Sequence, residues 1–64
     1  MKLNRDKVDI ALARKMMNAT DLAKAYGVSR ARMHVILNSQ SLTPATAGRI
    51  AKALGVDVTE IIDQ

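Results

Sequence analysis

The sequence predicts an all-α fold, five short helices in one compact domain, and three observations carry that prediction. Apolar residues recur at helical spacing in several separate stretches, and no stretch alternates in the two-residue rhythm of a strand. Residues that start and stop helices fall between those stretches. The organising run is NATDLAKAYGVSRARMHVILNS, Asn18 to Ser39, which reads as two short helices joined by a tight turn.

Taken in order, Val8, Ala11 and Leu12 share one helical face and predict helix one over Asp6 to Met16, with Met17 closing the corner. Leu3 is expected to pack beside it, while Ile10 falls off the stripe and is either an exposed apolar residue or part of a contact surface. Helix two starts at Asn18, whose side-chain oxygen suits a cap; Asp21 adds an acid where the helix dipole favours one. Leu22, Ala23 and Tyr26 are its inward residues, and the small Ala23 permits a close helix crossing. Gly27 should stop it, because glycine enters the left-handed conformation without a Cβ penalty. Ser29 then caps helix three, whose buried face is Met33, Ile36 and Leu37. Residues 18–38 therefore read as a helix-turn-helix inside a single domain spanning 1–64.

Thr43 followed by Pro44 is a cap with proline at the first helical position, so helix four runs from there to Leu54, with Ala47, Ile50 and Leu54 inward and Gly55 as the stop. Asp57 and Glu60 make a further cap signature and predict a fifth helix over Val58 to Asp63. Two adjacent isoleucines on a helix do not both fit one small core. One of Ile61 and Ile62 is therefore expected at a subunit contact, together with Val56 and Val58.

Composition narrows the function. The 64 residues support only a small core, and a partner subunit would help to stabilise it. There is no cysteine, hence no disulfide framework and no thiolate metal site. No apolar run approaches a membrane span, and MKLNRDKVD carries charges where a signal peptide needs an apolar centre, so the expectation is a soluble cytoplasmic protein. A single histidine and no HExxH, GxSxG or phosphate-loop pattern argue against an enzyme; no catalytic residue, cofactor or metal is expected. The net charge of +4 is uneven: residues 1–17 carry +3 (five basic, two acidic), 18–43 carry +2 (three basic, one acidic) and 44–64 carry −1 (two basic, three acidic). A basic surface beside an acidic last segment suits a polyanion on one side and a protein partner on the other, although solubility alone would explain a charge this small.

Helix three supplies the sharpest signal. At about 100° per residue, burial of Met33, Ile36 and Leu37 turns Ala31, Val35 and Asn38 outward, with Arg32 and His34 on the shoulders and Arg30 in the first turn. Cations in a first turn oppose the helix dipole at a cost of roughly 0.3–1 kcal/mol each. Folding alone favours acids there, and an external anion would offset the cost.

These residues resemble the Cro and phage-repressor (Xre-like) helix-turn-helix family: LAKAYGVSRARMHVILN matches its Leu-Ala, Gly-Val-Ser turn and recognition helix. SLTPATAGRIAKALGV looks like the fourth-helix segment of the HigA-type antitoxin branch, and DVTEII resembles the family's short last helix. The resemblance spans Val8 to Ile62 and implies a lambda-repressor-like fold. One departure is informative. Where many members pair an Arg in helix one with a Glu late in the recognition helix, this chain has Leu12 and Leu37, and replacing both partners of a buried ion pair with apolar residues is often neutral.

The resemblance implies that the chain is a sequence-specific regulator of transcription binding double-stranded DNA, a repressor acting as a homodimer on a palindromic operator. Its expected base contacts are Arg30, Ala31, Arg32, His34 and Val35. Arg30 suits guanine O6 and N7, whereas Ala31 and Val35 read only a thymine methyl. Expected phosphate contacts are Asn18, Lys24, Ser29, Asn38, Ser39, Gln40 and Ser41, with Arg14 and Lys15 as weaker candidates because exposed cations usually only solvate. The alternative it implies is an antitoxin that neutralises a toxin through helices four and five and regulates its own promoter. Against that, the chain read to Gln64 carries no additional arm of the kind many antitoxins use.

Overall fold

The computed structural model describes residues 1–39 and 41–63. Its elements are α1 (Arg5–Arg14), α2 (Ala19–Tyr26), α3 (Arg30–Leu37), α4 (Pro44–Leu54) and a single 3-10 turn, Val58–Glu60. One apolar cluster holds them together. Val8, Ala11 and Leu12 enter it from α1, Leu22 and Ala23 from α2, Met33 and Leu37 from α3, and Ala47, Ile50, Ala51 and Leu54 from α4. The connecting and terminal segments add Leu3, Leu42, Ile61 and Ile62. No polar or charged side chain of the described residues is buried with them.

Each helix begins where a side chain can take an otherwise orphaned N–H. Asn4 accepts from Lys7 N at 3.0 Å, Asn18 from Asp21 N at 2.9 Å, Ser29 from Arg32 N at 3.1 Å and Thr43 from Thr46 N at 3.2 Å. Asn18 and Asp21 close a reciprocal capping box, since the Asp21 carboxylate accepts from Asn18 N at 3.0 Å. The stops at Gly27 and Gly55 have φ of 97° and 72°. At Gly27 nothing lies near an added Cβ, so the backbone conformation alone calls for glycine.

Four expectations need correction. Helix one starts one residue earlier than predicted and ends two earlier, because Met16 turns left-handed at φ 54° and Met17 N donates back to Leu12 O at 2.9 Å. The fifth helix is absent. Asp57 and Glu60 do form the cap, with Asp57 N donating to Glu60 Oε2 at 3.0 Å, but only one tight turn follows. The chain then extends: Ile62 pairs with Leu3 in an antiparallel bridge, Asn4 N donates to Ile61 O at 2.8 Å and Asp63 N to Lys2 O at 3.0 Å. Backbone groups that a helix would satisfy internally are satisfied by residues 2–4 instead.

That change of geometry removes the argument for a leftover isoleucine. Leaving the helix lets Ile61 and Ile62 both enter the core, at 0% and 8% exposure, so neither is free for a subunit contact; Val56 and Val58 stay half-buried. Tyr26, expected in the core, is also only half-buried and lies under Arg49, whose Cζ is 4.7 Å from the ring centroid. Leu3 does pack, and Ile10 is exposed.

Candidate nucleic-acid interface

The helix-turn-helix is α2, the turn Gly27–Val28–Ser29, and α3. Leu22 and Ala23 seat α2 on the core, while Met33 and Leu37, with Ile36 half-buried beside them, seat α3. With that face fixed inward, Arg30, Ala31, Arg32, Val35 and Asn38 are exposed and His34 is half-buried on the shoulder. Val35, at 58% exposure, is an apolar side chain standing in water on this face.

The charge on this surface is not consumed by the fold. The first turn of α3 contains no acid, and neither Arg30 nor Arg32 has an ion-pair partner among the described residues. Both guanidiniums therefore keep their donors for something outside the chain. The Ser29 oxygen accepts from Arg32 N, which leaves its hydroxyl proton available to donate.

The flanking groups differ in what they still offer. The Asn18 carbonyl oxygen is occupied by Asp21 N and the Asn18 N–H by the Asp21 carboxylate, so an anion there meets the Asn18 Nδ2 donor with an acid close by. Ser39 donates its hydroxyl to Ser41 O at 2.9 Å, so that proton is already used. Ser41 is exposed, and Gln40 lies outside the described residues. Lys24, exposed in the last turn of α2, also serves that helix end electrostatically. Arg14 and Lys15 are drawn elsewhere: Arg14 reaches Glu60 Oε1 at 3.6 Å, and the Lys15 ammonium sits against Gly55 at the C-terminal end of α4.

Sequence reasoning missed cations of the N-terminal segment, Lys2 and Arg5. Arg5, the first residue of α1, donates from Nη1 to Asn38 Oδ1 at 3.2 Å and so stands at the C-terminal end of α3. A contact between residues 33 apart leaves no mark in local spacing. Far from this face, Asp57 has its carboxyl held below the usual aspartate value of 3.8 by the N–H and hydroxyl of Thr59, a capping effect with no bearing on the interface. Among the described residues no group of acidic or histidine side chains is arranged to hold a metal, and no helix is long and apolar enough to cross a membrane.

A small all-α domain with a tight turn between two short helices, the second carrying outward cations that lack ion-pair partners among the described residues, defines a helix-turn-helix DNA-binding domain. The chain belongs to the Cro/C1-type HTH DNA-binding domain family, whose model matches residues 7–63. No curated protein and no solved structure matches it.

Proposed function

We propose that this protein is a transcriptional repressor that places α3 in the major groove of double-stranded DNA and binds a pseudo-palindromic operator as a homodimer in the cytoplasm. The observation that carries this reading is the pair Arg30 and Arg32, exposed, without ion-pair partners among the described residues and set against the helix dipole. Arg30 reads a guanine edge through two parallel N–H donors. Ala31 and Val35 contact thymine methyls, Arg32 and His34 reach flanking edges, and Asn18, Lys24, Ser29, Asn38, Ser39, Gln40 and Ser41 position the duplex through phosphates.

The dimer contact in this reading is the end of the chain around Val56 and Val58, both half-buried. Exposed Ile10 on α1 takes the place of the two withdrawn isoleucines as apolar surface available there: Ile10 and Glu60, beside Val58, line one pocket together with Lys7, Ala11 and Arg14. Selection of tight binders from random duplexes tests the reading. The expected product is one sequence family with two-fold symmetry and half-site centres about ten base pairs apart. Recovery of unrelated sequences bound no better than the starting pool would refute it.

A further inference from the structure

Arg5 occupies the first turn of α1, where the dipole disfavours a cation as it does at Arg30 and Arg32. It donates from Nε to Asp9 Oδ1 at 3.4 Å and from Nη1 to Asn38 Oδ1 at 3.2 Å. Lys2 is carried to the same region because residues 1–4 form an extended strap. Leu42 N donates to Met1 O at 2.8 Å on one side, and Asp63 N donates to Lys2 O at 3.0 Å on the other.

Lys2, Arg5, Asn38 and Ser39 line one open groove of about 380 Å³ beside the end of α3. The one acid lining it among the described residues, Asp63, is held by Asn4, whose Nδ2 donates to Oδ1 at 2.7 Å. Lys2 is exposed and makes no side-chain bond among the described residues. The carbonyl end of α3 on its own would repel an anion, so only added cations make this place attractive to one. An exposed pair such as Arg5 with Asp9 is weak in water and yields to a better acceptor.

We propose that Lys2 and Arg5, with Asn38, form a second DNA phosphate site at the C-terminal end of the recognition helix. The site rests on the reading that α3 lies in the major groove. Arg5 has five N–H donors in a fixed fork, and its bonds to Asp9 and Asn38 leave donors for the phosphate oxygens, while Lys2 supplies a mobile point charge. Asn38 orients the guanidinium through its side-chain oxygen. The contact is blind to base sequence and acts on affinity and register.

The test is the salt dependence of operator binding by the full chain and by Lys2→Gln, Arg5→Gln, Arg5→Lys and, as a control cation on α4, Lys52→Gln. Each phosphate contact contributes about 0.9 to the slope of log affinity against log salt, so losing one should shrink the fall between about 50 and 200 mM salt by roughly 3.5-fold. Lys2→Gln and Arg5→Gln should each show that change, the double variant about a twelvefold change, and Arg5→Lys and Lys52→Gln none. Replacing single flanking phosphates by uncharged methylphosphonates should weaken the wild type at one or two positions and leave the double variant insensitive there. Lys2→Gln removes no internal side-chain bond, so its result does not depend on how Arg5→Gln folds. Wild-type slopes in both glutamine variants, with operator binding intact, would overturn this site alone. Failure of the wild-type chain to bind any duplex would overturn the major-groove reading and the site with it.

Discussion

Arg30 and Lys24 are both exposed cations of the helix-turn-helix, yet they stand in different relations to the fold. Lys24 lies in the last turn of α2, where the dipole welcomes it, so its presence is explained without DNA. Arg30 opens α3 with no acid in that turn. Arg30→Ala is therefore expected to weaken the best operator by about 1–3 kcal/mol and to relax one base position, whereas Lys24→Ala weakens specific and random duplexes alike. Titrations of both variants against both duplexes check this, and equal losses throughout would remove Arg30 as a base reader. Leu12 and Leu37 make the complementary point inside the molecule. Both are buried, at 9% and 4% exposure, in a core with no buried polar side chain among the described residues. Leu37→Glu alone should cost roughly 3–5 kcal/mol as an unpaired buried charge, and adding Leu12→Arg should recover much of it. Strictly additive losses in denaturant unfolding would show that the two positions do not face one another.

Among the elements, α1, α2 and α4 end alike: the residue after the left-handed position donates back five residues, Met17 to Leu12, Val28 to Ala23 and Val56 to Ala51. Glycine fills the left-handed position twice and Met16 the third time, at 92% exposure, so its side chain recovers nothing from packing. A non-glycine residue in that conformation costs roughly 1–2 kcal/mol, part of which glycine gives back in chain entropy. Met16→Gly should stabilise the fold by about 0.5–1 kcal/mol, read as a higher denaturant midpoint with an unchanged slope; a lower midpoint would refute the strain assigned to Met16. The same comparison explains what the sequence could and could not reveal. Caps at Asn18, Ser29 and Thr43 and stops at Gly27 and Gly55 were legible because each is written within three or four residues. The end of α1 was not, since methionine carries no stop signal. The last segment misled because a capping box marks where a helix starts and is silent on its length, while the pairing of Leu3 with Ile62 links opposite ends of the chain. Periodicity exposed the outward face of α3 for the same reason that it exposed the core. Arg5 stayed hidden because only the folded strap brings it to Asn38.

At the scale of the whole molecule, size bears on assembly. The described residues span 26 × 22 × 17 Å, less than the roughly 34 Å of one DNA turn, so one copy could reach only one stretch of major groove. On the proposed reading, the base-facing set on α3 would read only a few base pairs, too few to single out a site among the competing sequences of a genome. In the proposed dimer, two copies about a two-fold axis would put two α3 helices on the same face of the duplex one turn apart, each with its basic surface to the DNA. The sharpest test of this account is the affinity of the selected operator before and after insertion of about five base pairs between its half-sites, half a helical turn. The predicted result is loss of tight binding, with affinity falling to that of a lone half-site. Undiminished affinity, or a lone half-site bound as tightly as the intact operator, would contradict it.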